Sequence, residues 1–290
     1  MLKRYDYIPM RLADECLYLD GRSVRVLRGG NGPLVLCLHG FACSADLWRP
    51  TLPALIEAGY SALAIDLPGH GASYRPRRAY SVADLTRLVA DVLHAVGAEC
   101  VALIGNSLGG AVASEFALLH PERVTHLVLV DPFGLDPHLP VFQQAHYWTH
   151  LIMPVAFEML AGRRVWSRRR LLRMISCAPE HLPTGVVVLD YPGGWRHNYW
   201  GRVLVGLGVF GRMLTRRQRQ AFARRRAQLR VPTLIIWGED DQLLPVEQAY
   251  RAHQLIPNAR LRVFPHCGHT PNVEWAEAFN REVVGFLGQA

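Results

Sequence analysis

Apolar residues along this chain gather into short unbroken runs separated by segments that read as helices. The runs are Pro33 to Leu38, Ala62 to Ile65, 100 to 105, Val124 to Val130, Thr233 to Trp237 and Leu261 to Phe264. Runs of this length between turn residues read as buried strands. Residues 17 to 28 read as a hairpin turning at Asp20-Gly21. Helices are expected over 81 to 96, after the serine-containing turn at 105 to 110, near 246 to 255 and over 273 to 287. The first has Ser81 as N-cap with Asp84 three residues on. Buried strands alternating with helices predict an α/β fold: a mainly parallel sheet with helices on both faces. In such sheets functional groups collect beyond the carboxyl ends of the strands.

The rhythm stops between residues 133 and 230. The apolar stretches there, Val141 to Leu160 and Tyr199 to Leu214, look helical and no strands alternate with them. The expected organisation is a core of residues 1–132 and 231–290 with a helical insertion over 133–230. Charge marks the same boundary. The net charge is +8, yet the insertion holds 16 arginines against Asp136, Glu158, Glu180 and Asp190. The arginines Arg163, Arg164, Arg168 to Arg170 and Arg224 to Arg226 read first as a solvated face. An anionic membrane surface is a second reading, aided by nearby tryptophans. Acidic substrates are a third. No nucleic-acid motif is present, so nucleic acid is not expected as a partner.

The 290 residues are half apolar and 19% charged, the composition of a globular protein. The first ten residues hold no apolar signal region, and no apolar run reaches the roughly 18 residues of a membrane span. Six cysteines without CxxC spacing fit a reduced, cytoplasmic setting.

The chemistry centres on G-N-S-L-G-G, residues 105 to 110. Ser107 falls on a sharp strand-to-helix turn, flanked by Gly105 and Gly109 at G-x-S-x-G spacing. That turn exposes a hydroxyl and leaves the Leu108 amide free at a helix N-terminus. H-G-F, His39 to Phe41, follows another strand, so the Phe41 amide can face the same point and complete an oxyanion hole. W-G-E-D-D-Q-L-L-P (237–245) offers Asp240 and Asp241 as orienting acids, and H-C-G-H (266–269) offers His266 and His269 as bases. Asp131, after the Val124 to Val130 strand, is a further acid.

These pieces, with D-L-P-G-H-G-A-S (66–73) and G-H-T-P-N-V-E (268–274), resemble the α/β-hydrolase fold family of the type with a helical cap. The resemblance implies Ser107 as nucleophile, His269 as general base and Asp241 as the acid. It implies the cap as the role of residues 133–230. No metal or organic cofactor is expected. The expected reaction is hydrolysis of a carboxylic ester of an apolar small molecule through an acyl-enzyme. Carbon–carbon bond hydrolysis of a dienoic diketone-like acid is the alternative within the fold. Against it stand Thr270, where that subfamily usually has tryptophan, and an oxyanion loop poorer in glycine. A non-catalytic binding module is the alternative outside enzymes. Remaining features have plainer readings. His39 and His70 are expected to bond turn backbone. His146 and His150 sit on a helix face without an acidic third ligand, so no zinc site is expected. Tyr147, Trp148, Trp166, Trp195, Tyr199 and Trp200 divide between pocket lining and packing of the insertion. Oligomeric state is not encoded in any of these patterns.

Overall fold

The computed structural model describes residues 12–135, 172–173, 175–183, 185–187, 198–210 and 216–289. Strands β1 (Ala13–Leu19) and β2 (Arg22–Gly29) form the expected hairpin. Asp20 (φ 48°) and Gly21 (φ 74°) both take left-handed backbone, as a two-residue primed turn requires. The hairpin begins earlier than the apolar pattern implies, because Ala13 to Cys16 lie on an exposed outer edge strand and not in a buried run.

Six further strands follow: β3 (Leu34–Leu38), β4 (Ser61–Ile65), β5 (Val101–Asn106), β6 (Val124–Val130), β7 (Thr233–Gly238) and β8 (Arg260–Phe264). The eight strands form one sheet in the order β1-β2-β4-β3-β5-β6-β7-β8. β1, β2 and β4 pair antiparallel, and the pairs from β4 through β8 are parallel. All carboxyl ends from β3 to β8 therefore lie on one edge. The strand order reverses between β3 and β5, the place where parallel sheets open a crevice.

Strand residues alternate between two cores. Leu36, Leu38, Leu103, Leu127, Leu129, Ile235 and Trp237 face one side. There they meet α2 (Val82–Ala95), α3 (Leu108–Leu119) and α6 (Glu247–Leu255). Val35, Cys37, Ile104, Val128, Val130 and Ile236 face the other, against α1 (Leu52–Glu57) and α8 (Ala276–Leu287). Helix α2 starts on a full capping box between Ser81 and Asp84. The helix expected over 273–287 is broken into α7 (Pro271–Glu274) and α8. The break falls at Trp275, whose ring stacks on Phe264 at 5.8 Å.

Between residues 133 and 230, α4 (Tyr199–Phe210) and α5 (Arg216–Arg226) are described, and the expected helix over Val141 to Leu160 lies outside the described residues. So do His146, His150, Tyr147, Trp148, Trp166, Trp195 and the arginines from 163 to 170. Trp200 is exposed. The α5 arginines do not all form a solvated face. Arg224 and Arg225 are exposed, but Arg226 is fully buried. Its guanidinium lies 3.3 Å from the Phe222 ring centroid and 3.1 Å from a Glu115 carboxylate oxygen on α3. It also donates to Ser114 Oγ and the Ala111 carbonyl. Burial lowers its pKa to about 9, opposed by the Glu115 charge. Among the described residues, no helix is long and apolar enough to cross a membrane.

Candidate active site

Every residue singled out for chemistry sits at or just past a carboxyl end of the parallel strands. Ser107 follows β5 directly. Its φ of 53° is left-handed, a costly conformation for serine, and it is held by neighbours. The Ser107 N–H donates to the Val130 carbonyl, and its own carbonyl accepts from Ala111 and Phe133. Glycine is required on either side for a physical reason. A Cβ on Gly105 would stand 2.4 Å from the Gly109 carbonyl oxygen, and one on Gly109 would stand 2.1 Å from the Leu38 oxygen. The G-x-S-x-G spacing is thus the trace of strand β5, strand β3 and helix α3 in near backbone contact.

Phe41 and Leu108 bracket the β3–β5 crevice. Leu108 is the first residue of α3, so its amide has no partner within the helix. The Phe41 amide makes no backbone hydrogen bond among the described residues. Its direction is set by His39. The His39 Nδ1–H donates to the Gly40 carbonyl at 2.7 Å, while Nε2 accepts from the Leu67 N–H at 2.9 Å. In a trans peptide the carbonyl and the next N–H point opposite ways. Fixing the Gly40 oxygen therefore aims the Phe41 N–H away from His39. Burial lowers the His39 pKa to about 4, with the Gly40 carbonyl opposing, so the ring stays neutral in this tautomer. His70 bonds the Pro68 carbonyl and is likewise held neutral by burial and by neighbouring His39.

On the other side of the crevice, Asp241 and His269 meet. His269 Nδ1 lies 2.6 Å from Asp241 Oδ2. Asp241 Oδ1 accepts two backbone N–H groups, from Leu243 and Leu244. An acceptor-only carboxylate requires the histidine proton on Nδ1, which leaves Nε2 free to accept. A separation of 2.6 Å suits a shared proton and is too short to seat a metal ion between the two atoms. His266 and Asp240 form a separate, exposed pair at 3.7 Å. Ser107 and His269 line one cavity with Gly40, Phe41, Ala42, Cys43, Asn106, Ile175, Val187, Leu243 and Thr270. Asp131 does not replace Asp241 beside the histidine. It is fully buried behind the pair, accepting from the Gly238 N–H through Oδ1.

Two supporting residues were not legible from the pattern of motifs. Asn106 Nδ2 donates to the Val130 carbonyl and to the His269 carbonyl, so the residue before the serine pins the histidine loop. Glu274 accepts from the Gly268 and Cys177 N–H groups and from Thr270 Oγ1. The G-H-T-P-N-V-E string marks Glu274, but its partners arrive only through folding.

A model of the alpha/beta hydrolase family matches residues 35–282. The chain belongs to the alpha/beta hydrolase family. It is 33% identical over 270 residues to a 2-hydroxy-6-oxononadienedioate/2-hydroxy-6-oxononatrienedioate hydrolase of Cupriavidus pinatubonensis, covering 90% of this chain and 88% of that one. It is 30% identical over 277 residues to a pimeloyl (acyl-carrier protein) methyl ester esterase of Nitrosomonas europaea, covering 89% and 96%. Among solved structures it is similar to a membrane phospholipase A from a bacterium, with 27% identity, a TM-score of 0.69, and 95% and 86% coverage. The protein is a hydrolase.

Proposed function

We propose that this hydrolase cleaves carboxylic esters of apolar small molecules through an acyl-enzyme on Ser107. The observation that carries the reading is the 2.6 Å Asp241–His269 bond, which frees Nε2 of a ring that shares a cavity with the Ser107 hydroxyl. Neutral His269 accepts the serine proton as Oγ attacks the ester carbonyl, and Asp241 stabilises the resulting imidazolium. The Phe41 and Leu108 amides receive the oxyanion. His269 then returns the proton to the leaving alcohol, and water repeats the sequence on the acyl-enzyme. The apolar lining from Phe41, Ala42, Ile175, Val187 and Leu243 supports an uncharged substrate. In this reading residues 133–230 act as a cap. Its described residues Ile175 and Val187 reach the cavity wall, and the His269 N–H donates to the Ile175 carbonyl.

Carbon–carbon hydrolysis of a dienoic acid is the second reading, favoured by the named activity of the Cupriavidus relative. One pair of assays separates them. A p-nitrophenyl ester series is turned over and a ring-fission dienoate is not. The reverse outcome replaces the ester reading with the second one. A fluorophosphonate probe is expected to label the wild type and spare S107A. A wild type that stays unlabelled overturns both enzymatic readings and leaves a binding module.

A further inference from the structure

Two acids lie against the same histidine loop, and their surroundings are unequal. Asp241 receives three donors: the Leu243 and Leu244 amides on Oδ1 and His269 Nδ1 on Oδ2. Asp131 receives one, the Gly238 N–H on Oδ1. Its Oδ2 is buried and meets no donor. The side chain is fully buried and the residue sits at φ 41°, a left-handed conformation that turns the carboxyl inward from the end of β6. One carboxylate oxygen from each acid and a ring nitrogen of His269 lie within 4.8 Å of one another. Two buried carboxyl groups at this range repel each other's charge, which favours the neutral form of one of them. Asp241 holds the donors, and Asp131 is the group with an oxygen to spare.

We propose that Asp131 is a neutral carboxylic acid whose hydroxyl donates a hydrogen bond to the Asp241 carboxylate, making it a positioning residue behind the acid–histidine pair. The titrating surroundings agree. Burial and then the Asp241 charge push the Asp131 carboxyl well above the ordinary carboxylate range, with Glu274 adding to the push and the Gly238 amide opposing it. The other ionisable groups facing it are His269 and the buried Cys267. The orphaned oxygen then has a role: as a hydroxyl it is a donor, and Asp241 is the acceptor within reach. The inference rests on the proposed roles of Asp241 and His269 for its catalytic meaning. The protonation itself does not.

The test uses D131N, D131L and S107A on the full chain. The asparagine amide donates as a neutral acid does, so D131N is expected to rescue most of the kcat that D131L loses. That loss is roughly 10- to 100-fold, the worth of one hydrogen bond to a charged group, with KM little changed. Difference infrared spectra of wild type minus D131N at neutral pH are expected to show the carbonyl stretch of a protonated carboxylic acid. Folded Asp131 retains a proton that the unfolded chain has released. Wild-type stability therefore falls relative to D131N as pH rises from about 4, and the difference between their denaturation midpoints shifts with pH in favour of D131N. An absent infrared band together with a pH-independent gap overturns the proposal, even where D131L fails to fold. Damage in D131N equal to that in D131L overturns the donor role. S107A keeps the infrared band in either case. Ester turnover surviving in S107A would sink the triad reading alone.

Discussion

The two sides of the crevice are built from different materials. The β3–β5 side, carrying Ser107 and the Phe41 and Leu108 amides, is held by backbone. Its devices are a left-handed serine, glycines in near contact and a neutral histidine gripping a carbonyl. The β6–β8 side, carrying Asp241 and His269, is held by carboxylates: Asp241 itself, Asp131 behind it and Glu274 beneath the loop. Under the proposed function the contrast follows from the tasks. Oxyanion donors must not move as charge develops, and backbone amides are the stiffest donors available. The acid–histidine pair must instead hold a proton at one atom, which is an electrostatic task. Steric change is expected to damage the first side, and charge change the second.

Each variant below probes one side of that contrast. D241N keeps shape but gives the histidine the wrong tautomer. Its kcat on a p-nitrophenyl ester is expected to fall by about 10⁴, with the folded structure intact by circular dichroism. A loss below tenfold would show that the second side is not electrostatic. Gly109→Val drives atoms into the Leu38 carbonyl and is expected to cost more than about 4 kcal/mol, read as loss of soluble folded protein. Wild-type-like stability there would show that the first side gives way easily.

His39→Leu tests the one titrating device on the backbone side. Folded His39 has a pKa near 4, while the unfolded chain takes up a proton near 6.5. Wild-type stability from this group is present above pH 6.5 and lost as pH falls toward 4. The loss amounts to about 3 kcal/mol. In the variant, urea midpoints are expected to show a shallower acid limb by one proton. An unchanged limb would detach His39 from acid sensitivity. Ser81→Ala lies remote from both sides and removes only the α2 cap. It is expected to lower stability by about 1 kcal/mol and leave kcat unaltered.

What was legible in the sequence follows the same division. The backbone side is local: Gly105, Ser107 and Gly109 lie within five residues, and their spacing reports a strand, a turn and a helix. The capping box at Ser81 and the turn at Asp20-Gly21 are equally local. On the carboxylate side the motifs at 237–245 and 266–269 named Asp241 and His269, but their supports come from distant parts of the chain. Asn106 reaches His269 across 163 positions, and Asp131 meets Asp241 only because β6 and β7 are neighbours. Charge patterning had a related blind spot. Arg224, Arg225 and Arg226 are chemically identical, and only packing decides that the third turns inward.

That inward arginine sets a rule for anyone swapping the segment that precedes it. Arg226 grips Ala111, Ser114 and Glu115 in the first two turns of α3, the helix that starts directly after Ser107. A hybrid joined downstream of α5 discards this anchor and strands Glu115 in an apolar setting. A hybrid joined upstream of residue 216 keeps this anchor and exchanges only what lies before it, so the seam that spares the Ser107 helix is there.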